Sequence, residues 1–101
     1  MTEGRDCTVR ARISVSGRVQ GVGYRAFTLR AATERGLVGG VRNCEDGRVE
    51  LEAEGPKEQI VSLIAALKTG PPASRVTEIR VEWVAATGRH TNFAVWYSRE
   101  F

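Results

Sequence analysis

The sequence has 101 residues, of which 42% are hydrophobic and 27% charged, and its formal net charge is +3. This length fits one compact domain and excludes a cofactor domain joined to a separate substrate domain. No apolar run follows Met1, as one would in a secretory signal, and no apolar run is long enough to span a bilayer. The spacing of Cys7 and Cys44 matches neither a metal-binding pattern nor a disulfide framework. We expect one domain over residues 1–101, with a loose tail at 1–7, in the cytoplasm.

Three elements are predicted in the first half of the chain. Apolar and polar residues alternate over Val9–Val15, which predicts a half-buried strand that Gly17 ends. A helical apolar pattern covers Val22–Arg35 and stops at Gly36. Leu37–Cys44 is predicted to be a second strand.

A hairpin follows the second strand. The pair Asp46-Gly47 is a strong signal for a tight turn between antiparallel strands. The returning strand alternates apolar residues with acidic ones, and we expect the acidic residues to form one solvated face: Glu50, Glu52 and Glu54.

The second helix is predicted to begin with Pro56 at its first helical position, where a missing N–H costs nothing. Its buried stripe has helical spacing (Ile60, Leu63, Ile64, Leu67), and Gly70-Pro71-Pro72 ends it. A fourth strand over Thr77–Trp83 and a short fifth strand at Phe93, Val95 and Tyr97 complete the chain.

This order predicts an α+β fold, the ferredoxin-like split βαβ sandwich. We expect an antiparallel sheet of four to five strands, with two helices on one face. The turn from Gly17 to Gly23 then joins the first strand to the first helix. Backbone N–H groups in such a turn, together with a helix N-terminus, can bind an anion. Arg25 in the first helical turn opposes the helix dipole, and a bound dianion would account for it.

Other interpretations of this turn stay open on spacing alone. A plain tight turn fits equally well. The pattern Gly21-x-Gly23-x-x-Ala26, with Glu45 further on, matches a dinucleotide fingerprint, but the hairpin after it opposes a parallel sheet. No Lys-Ser or Lys-Thr pair follows, which disfavours a P-loop.

Asn43 ends the second strand, where it can either bond its own turn or place an amide beside the first turn. His90 is the one histidine and is predicted to be a surface residue in a loop.

The segment Gly17–Arg25 (GRVQGVGYR) closely resembles the signature of acylphosphatases. Four further stretches are similar to that family: Gly36–Asn43, Asp46–Glu50, Glu54–Pro56 and Gly70–Val76. The resemblance extends from about Thr8 to Tyr97. Two departures are Gly40, where many members have an aromatic residue, and the continuation over 98–101.

The resemblance implies hydrolysis of acyl phosphates to a carboxylate and inorganic phosphate, by in-line attack of water and with no metal or cofactor. It implies that Arg25 binds phosphate and Asn43 positions water. It also assigns a backbone cradle to the loop: Arg18, Val19, Gln20, Gly21, Val22 and Gly23. We expect a monomer that binds small anions as product or inhibitor, and neither nucleic acid nor membrane.

A binding module with the same fold is the competing class, either an RNA-binding domain or a carrier without turnover. The sequence pI of 9.3 permits nucleic-acid binding. The acidic third strand, which lacks the aromatic pair of an RNA-binding sheet, opposes it.

Overall fold

The computed structural model describes residues 8–97, so the expected tail at 1–7, with Cys7, and the continuation at 98–101 lie outside it. The elements follow the expected order: β1 (Thr8–Arg18), α1 (Tyr24–Glu34), β2 (Val38–Asn43), β3 (Val49–Pro56), α2 (Lys57–Thr69), β4 (Arg75–Ala85) and β5 (Phe93–Val95).

The strands form one sheet in the order β4-β1-β3-β2-β5. The first four pair antiparallel, as predicted, whereas β5 pairs parallel with β2. The chain reverses direction between β4 and β5, and β2 runs opposite to β4. For this reason β5 lies parallel to β2, so the sheet is mainly antiparallel with one parallel pair among the described strands.

Both helices cover one face of the sheet, and the core lies between the two layers. Alternate residues of β1 and β3 face this core, which also contains three of the four residues of the predicted stripe of α2: Ala11, Ile13, Val15, Val49, Leu51, Ala53, Ile60, Leu63 and Leu67. The fourth, Ile64, is partly buried against the core. The hydroxyl of buried Tyr24 donates a 2.7 Å hydrogen bond to the carbonyl of Leu67 and so joins α1 to α2. Burial raises the pKa of this hydroxyl above its usual range.

Gly17 does not end β1, contrary to prediction. The register shifts between Ser16 and Gly17, and pairing with β4 then continues to Arg18 and Arg75. Gly17 has φ 122°, and a Cβ there would overlap the carbonyl oxygen of Arg75. The glycine therefore permits a β-bulge with a close backbone approach.

The starts of both helices also differ from prediction. Gly21 and Gly23 have φ values of 75° and 83°, so the chain between them forms a loop and α1 begins at Tyr24, not at Val22. Pro56 is extended, with ψ 137°, and pairs with Thr8 as the last residue of β3. It precedes α2 instead of occupying its first position.

Glu54 is buried, which contradicts the predicted solvated acidic face. Its carboxylate accepts hydrogen bonds from the N–H of Thr87 (2.8 Å), the hydroxyl of Thr87 (3.1 Å) and the N–H of Gly88 (2.6 Å). Burial favours the protonated acid, but these donors outweigh it and lower the pKa of Glu54. The carboxylate thus fixes the connection that leads to β5. Glu50 and Glu52 do lie on the outer face, partly exposed, in ion pairs with arginines.

Trp96 fills the space beside Gly40, where looser packing was expected. A Cβ on Gly40 would overlap the indole of Trp96. The N–H of Trp96 also donates to the carbonyl of Val41 at 2.7 Å. The aromatic cover of β2 therefore comes from the segment after β5.

Candidate active site

The topology brings the loop after β1 and the end of β2 to the same edge of the sheet. Val15 pairs with Val49 of the intervening strand β3, and Val49 pairs with Asn43. Adjacent strands lie about 4.8 Å apart, so β1 and β2 are separated here by roughly 10 Å. Two segments distant in sequence thus border one small cavity.

The loop is anchored in the core by one buried side chain, and it leaves backbone N–H groups available. The side chain of Val19 is 1% exposed and anchors the loop in the core. Gly23 is the N-cap of α1 in a left-handed conformation, without a side-chain cap, and the first turn contains no acidic residue. The first N–H groups of the helix therefore remain available to an anion.

Gln20 ties this loop to the hairpin. Its side-chain Nε2 donates to the carbonyl of Cys44 at 2.8 Å and to the carbonyl of Arg48 at 2.9 Å. Both N–H donors of the amide are thus used, one on each side of the turn that follows Asn43. This connection holds the loop and Asn43 in one arrangement.

Arg48 stiffens the same hairpin. Its guanidinium contacts Asp46 at 2.7 Å, Ser14 at 2.6 Å and Glu50 at 3.0 Å. The hydrogen bonds from Arg48 lower the pKa of Asp46. Arg48 therefore ties the turn that follows Asn43 to β1 through Ser14, and to carboxylates of the hairpin itself.

Arg25 and Asn43 face the same cavity. Arg25 is the second residue of α1, and the carbon of its guanidinium lies 5.4 Å from the ring centroid of Tyr97. The side-chain oxygen Oδ1 of Asn43 is buried and has no hydrogen-bond partner within residues 8–97. Buried polar atoms are nearly always paired, so this acceptor is suited to an external donor.

The cavity has a volume of about 340 Å³ and includes five of the eight predicted site residues: Val19, Gly21, Gly23, Arg25 and Asn43. The other three predicted residues lie outside its lining. Arg18 is the exposed end of β1, Gln20 points to the hairpin, and Val22 packs partly against the core.

Five further lining residues were not predicted: Tyr24, Ala26, Leu29, Val95 and Tyr97. The helical apolar pattern over Val22–Arg35, which includes Tyr24, Ala26 and Leu29, was the available signal. Val95 and Tyr97 gave no such signal, because their position depends on the parallel pairing of β5.

Cys44 and His90 do not line this cavity. Burial and the neighbouring Glu50 raise the pKa of the Cys44 thiol, which favours the protonated, weakly nucleophilic form. His90 is only partly a surface residue: its side chain is 22% exposed, beside Trp96 and with Nε2 3.8 Å from Glu52. Residues 8–97 contain no group of three His, Cys, Asp or Glu side chains placed to hold a metal ion. None of their helices is long and apolar enough to cross a membrane.

Fold and cavity together define a small α+β protein whose glycine loop, guanidinium and buried amide suit a phosphate-sized anion. A family model described as acylphosphatase matches residues 11–95. The chain is 54% identical to an acylphosphatase of Methylococcus capsulatus, over 85% of this chain and 94% of that protein. It is also similar to the crystal structure of acylphosphatase from Bacillus subtilis, with a TM-score of 0.86 and 45% identity over 88% of this chain and 99% of that chain.

The structure of an acylphosphatase from Coxiella burnetii has a TM-score of 0.84 at 34% identity, over 88% of this chain and 93% of that chain. The chain belongs to the acylphosphatase family. It is an enzyme that hydrolyses acyl phosphates.

Proposed function

We propose that the loop of residues 18–23, Arg25 and Asn43 carry out this hydrolysis by in-line attack of water, without a metal ion or cofactor. The observation that carries the proposal is the buried Oδ1 of Asn43, which has no hydrogen-bond partner in the described part of the chain and lies in the cavity that Arg25 and the loop glycines also line.

The leaving group explains why no general acid is needed. Cleavage of the bond between phosphorus and the bridging oxygen releases a carboxylate, whose conjugate acid has a pKa of roughly 4, like that of Glu. The carboxylate departs as an anion without taking up a proton. A site without a catalytic His, Asp or Cys is therefore chemically sufficient.

The loop and Arg25 bind the phosphoryl group. Backbone N–H groups of the loop and of the first turn of α1 donate to its non-bridging oxygens, while the guanidinium contacts two of these oxygens. Charge spreads over these oxygens in the transition state. Donors fixed in advance stabilise that charge without reorganising.

Asn43 holds the nucleophile. Its Oδ1 accepts a hydrogen bond from a water molecule opposite the leaving carboxylate, and its amide N–H groups can donate to a phosphoryl oxygen. A phosphoryl oxygen of the substrate accepts the proton that the water loses. The products are the carboxylate and inorganic phosphate, and phosphate is expected to compete with substrate.

Substitutions at the two side chains test this assignment. Asn43→Ala should lower the rate on the order of 10²–10³-fold, as removal of one fixed donor or acceptor does. Arg25→Ala should lose more, and Arg25→Lys should remain poor because an ammonium makes no planar two-point contact. Arg30→Ala and Asn92→Ala, on exposed positions, are the matched controls.

The assay is hydrolysis of acetyl phosphate with and without a chelator. The proposed roles are wrong if purified, folded Arg25→Ala keeps near-normal turnover. The proposal that no metal ion is needed is wrong if the chelator abolishes hydrolysis by the wild-type protein. If phosphate binds without any turnover in the wild-type protein, the site is that of a carrier.

The working form is proposed to be a single-domain monomer in the cytoplasm. The unpaired thiol of Cys44 supports a reducing compartment. Size-exclusion chromatography with light scattering and cell fractionation test the two parts separately.

A further inference from the structure

The carboxylate of Glu50 contacts both residues that flank Asn43 in the chain. It accepts a 2.6 Å hydrogen bond from Nη2 of Arg42, the residue before Asn43. It also accepts a hydrogen bond from the thiol of Cys44, the residue after Asn43. We propose that Glu50 is a positioning residue, which fixes the direction of the Asn43 side chain and so supports the attack by water. This inference rests on the proposed role of Asn43.

The register of the sheet gives Glu50 access to these neighbours. Glu50 on β3 is the partner of Arg42 on β2, and the next pair is Val49 with Asn43. Successive side chains of a strand point to opposite faces, so Arg42 and Glu50 share the outer face of the sheet, and both line a groove there. Because the residues before and after Asn43 are held to that face, the side chain between them is directed to the opposite face, where the cavity beside α1 lies.

The carboxylate of Glu50 is itself fixed in place. Arg48 donates to it at 3.0 Å and to the hydroxyl of Ser14 on β1 at 2.6 Å. The hydrogen bond from Arg42 is the main cause of the lowered pKa of Glu50, so the carboxylate is ionised at neutral pH. Hydrogen bonds to an ionised group are stronger than those between neutral groups. This side chain is therefore a firm anchor for the end of β2.

The oxygen of Asn43 that faces the cavity has no such anchor of its own. It is buried and has no hydrogen-bond partner within residues 8–97. Its position therefore follows from the backbone that Glu50 holds, and a displacement of about 1 Å in a catalytic group costs on the order of 10²-fold in rate. The glycine loop and Arg25 belong to other segments, so binding of the phosphoryl group does not depend on Glu50.

Glu50→Gln tests this separation between turnover and binding. We expect kcat for acetyl phosphate to fall about tenfold, because a neutral amide does not hold both flanking donors as a carboxylate does. The inhibition constant of inorganic phosphate should stay within about twofold of the wild-type value, since only the step that uses water is affected. Kinetics are measured under conditions where urea unfolding curves show the variant to be fully folded.

Glu52→Gln is the matched control. Glu52 also lies on the outer face of β3 and is bound by Arg10 at 3.2 Å and Arg12 at 4.0 Å. Its side chain is 26% exposed and that of Glu50 is 32% exposed, so both changes remove one charge at similar depth. The partner of Glu52 on β2 is Gly40, away from the cavity, and kcat of this variant should therefore equal that of the wild type.

A double variant separates positioning from a general structural role. If Glu50 acts through Asn43, Glu50→Gln should slow the wild-type protein but cause no further loss in Asn43→Ala, which has no amide left to direct. If Glu50→Gln does not fold, Arg42→Met removes the 2.6 Å contact alone and should show the same dependence on Asn43.

The outcomes distinguish this inference from the proposed function. An unchanged kcat in the folded variant, or an equal loss in the wild-type and Asn43→Ala backgrounds, overturns the role of Glu50 and leaves the proposed function intact. A loss of kcat in Glu52→Gln as large as that in Glu50→Gln overturns it as well. Near-normal turnover of Asn43→Ala overturns the proposed role of Asn43 and this inference together.

Discussion

Gln20 is the residue whose replacement most directly tests how the site is assembled. Its two donors hold the carbonyls of Cys44 and Arg48, at 2.8 Å and 2.9 Å. A hydrogen bond contributes a net 0.5–1.5 kcal/mol, so Gln20→Ala should lower the free energy of unfolding by about 1–3 kcal/mol. Gln20→Glu should cost more, because it keeps the shape but sets a carboxylate without donors against two carbonyl oxygens.

Turnover should fall together with stability, by a comparable free energy. The loop and Asn43 are held together by this side chain, and a displacement of about 1 Å in a catalytic group costs on the order of 10²-fold in rate. We expect kcat for acetyl phosphate to fall about tenfold to a hundredfold in both variants while each remains folded at low denaturant. Urea unfolding followed by tryptophan fluorescence gives the stability, and steady-state kinetics give kcat and KM.

Gln59→Glu provides the matched control. Gln59 lies on α2, and its replacement makes the same chemical change outside the hairpin connection. If Gln20→Glu matches Gln59→Glu in stability and in kcat, the side chain of Gln20 does not hold the loop to the hairpin, and the link between these two segments is refuted.

Two further changes test the frame that carries the site. The lowered pKa of Glu54 means that its contribution to stability is complete above its unfolded-state pKa of about 4.3 and is lost as the pH falls through its lower folded-state pKa. The free energy of unfolding of the wild type, measured with urea, should therefore fall more steeply below about pH 5 than that of Glu54→Gln. Equal slopes of this free energy against pH would contradict the role of the contact between Glu54 and the loop at Gly88. Gly17→Ala should lower stability by at least about 2 kcal/mol, because its Cβ would overlap the carbonyl of Arg75, whereas Gly36→Ala, at φ 71° with open space around it, should cost about 1 kcal/mol. Equal losses in these two glycine variants would refute the close approach.

The sequence predicted the type and order of every element. The alternation in β1 and β3 and the stripe of α2 follow from local periodicity, which depends only on which face of an element is buried. Boundaries were less accurate where glycine and proline act through tertiary contacts. Gly17 resembles a strand end, but its lack of a side chain lets β1 approach β4 and continue.

For polar residues too, local patterns were predictable from the sequence, whereas tertiary contacts were not. Glu54 belongs to an alternating acidic pattern that predicts exposure, and it is buried because a loop more than 30 residues later supplies its donors. The dual contacts of Gln20 and the covering of Gly40 by Trp96 likewise join segments whose proximity no local pattern reveals.

The glycine-rich turn and Arg25 could be proposed as an anion site from the sequence, because such a site needs consecutive backbone N–H groups and one nearby cation. The family signature added the reaction and the proposed role of Asn43. Tertiary structure decided how these parts meet: strand β3 sets the separation of β1 and β2, and Gln20 fixes the loop to the hairpin. It also decided which residues from the end of the chain line the cavity, since the reversal of the chain after β4 and the parallel pairing of β5 bring Val95 and Tyr97 to it.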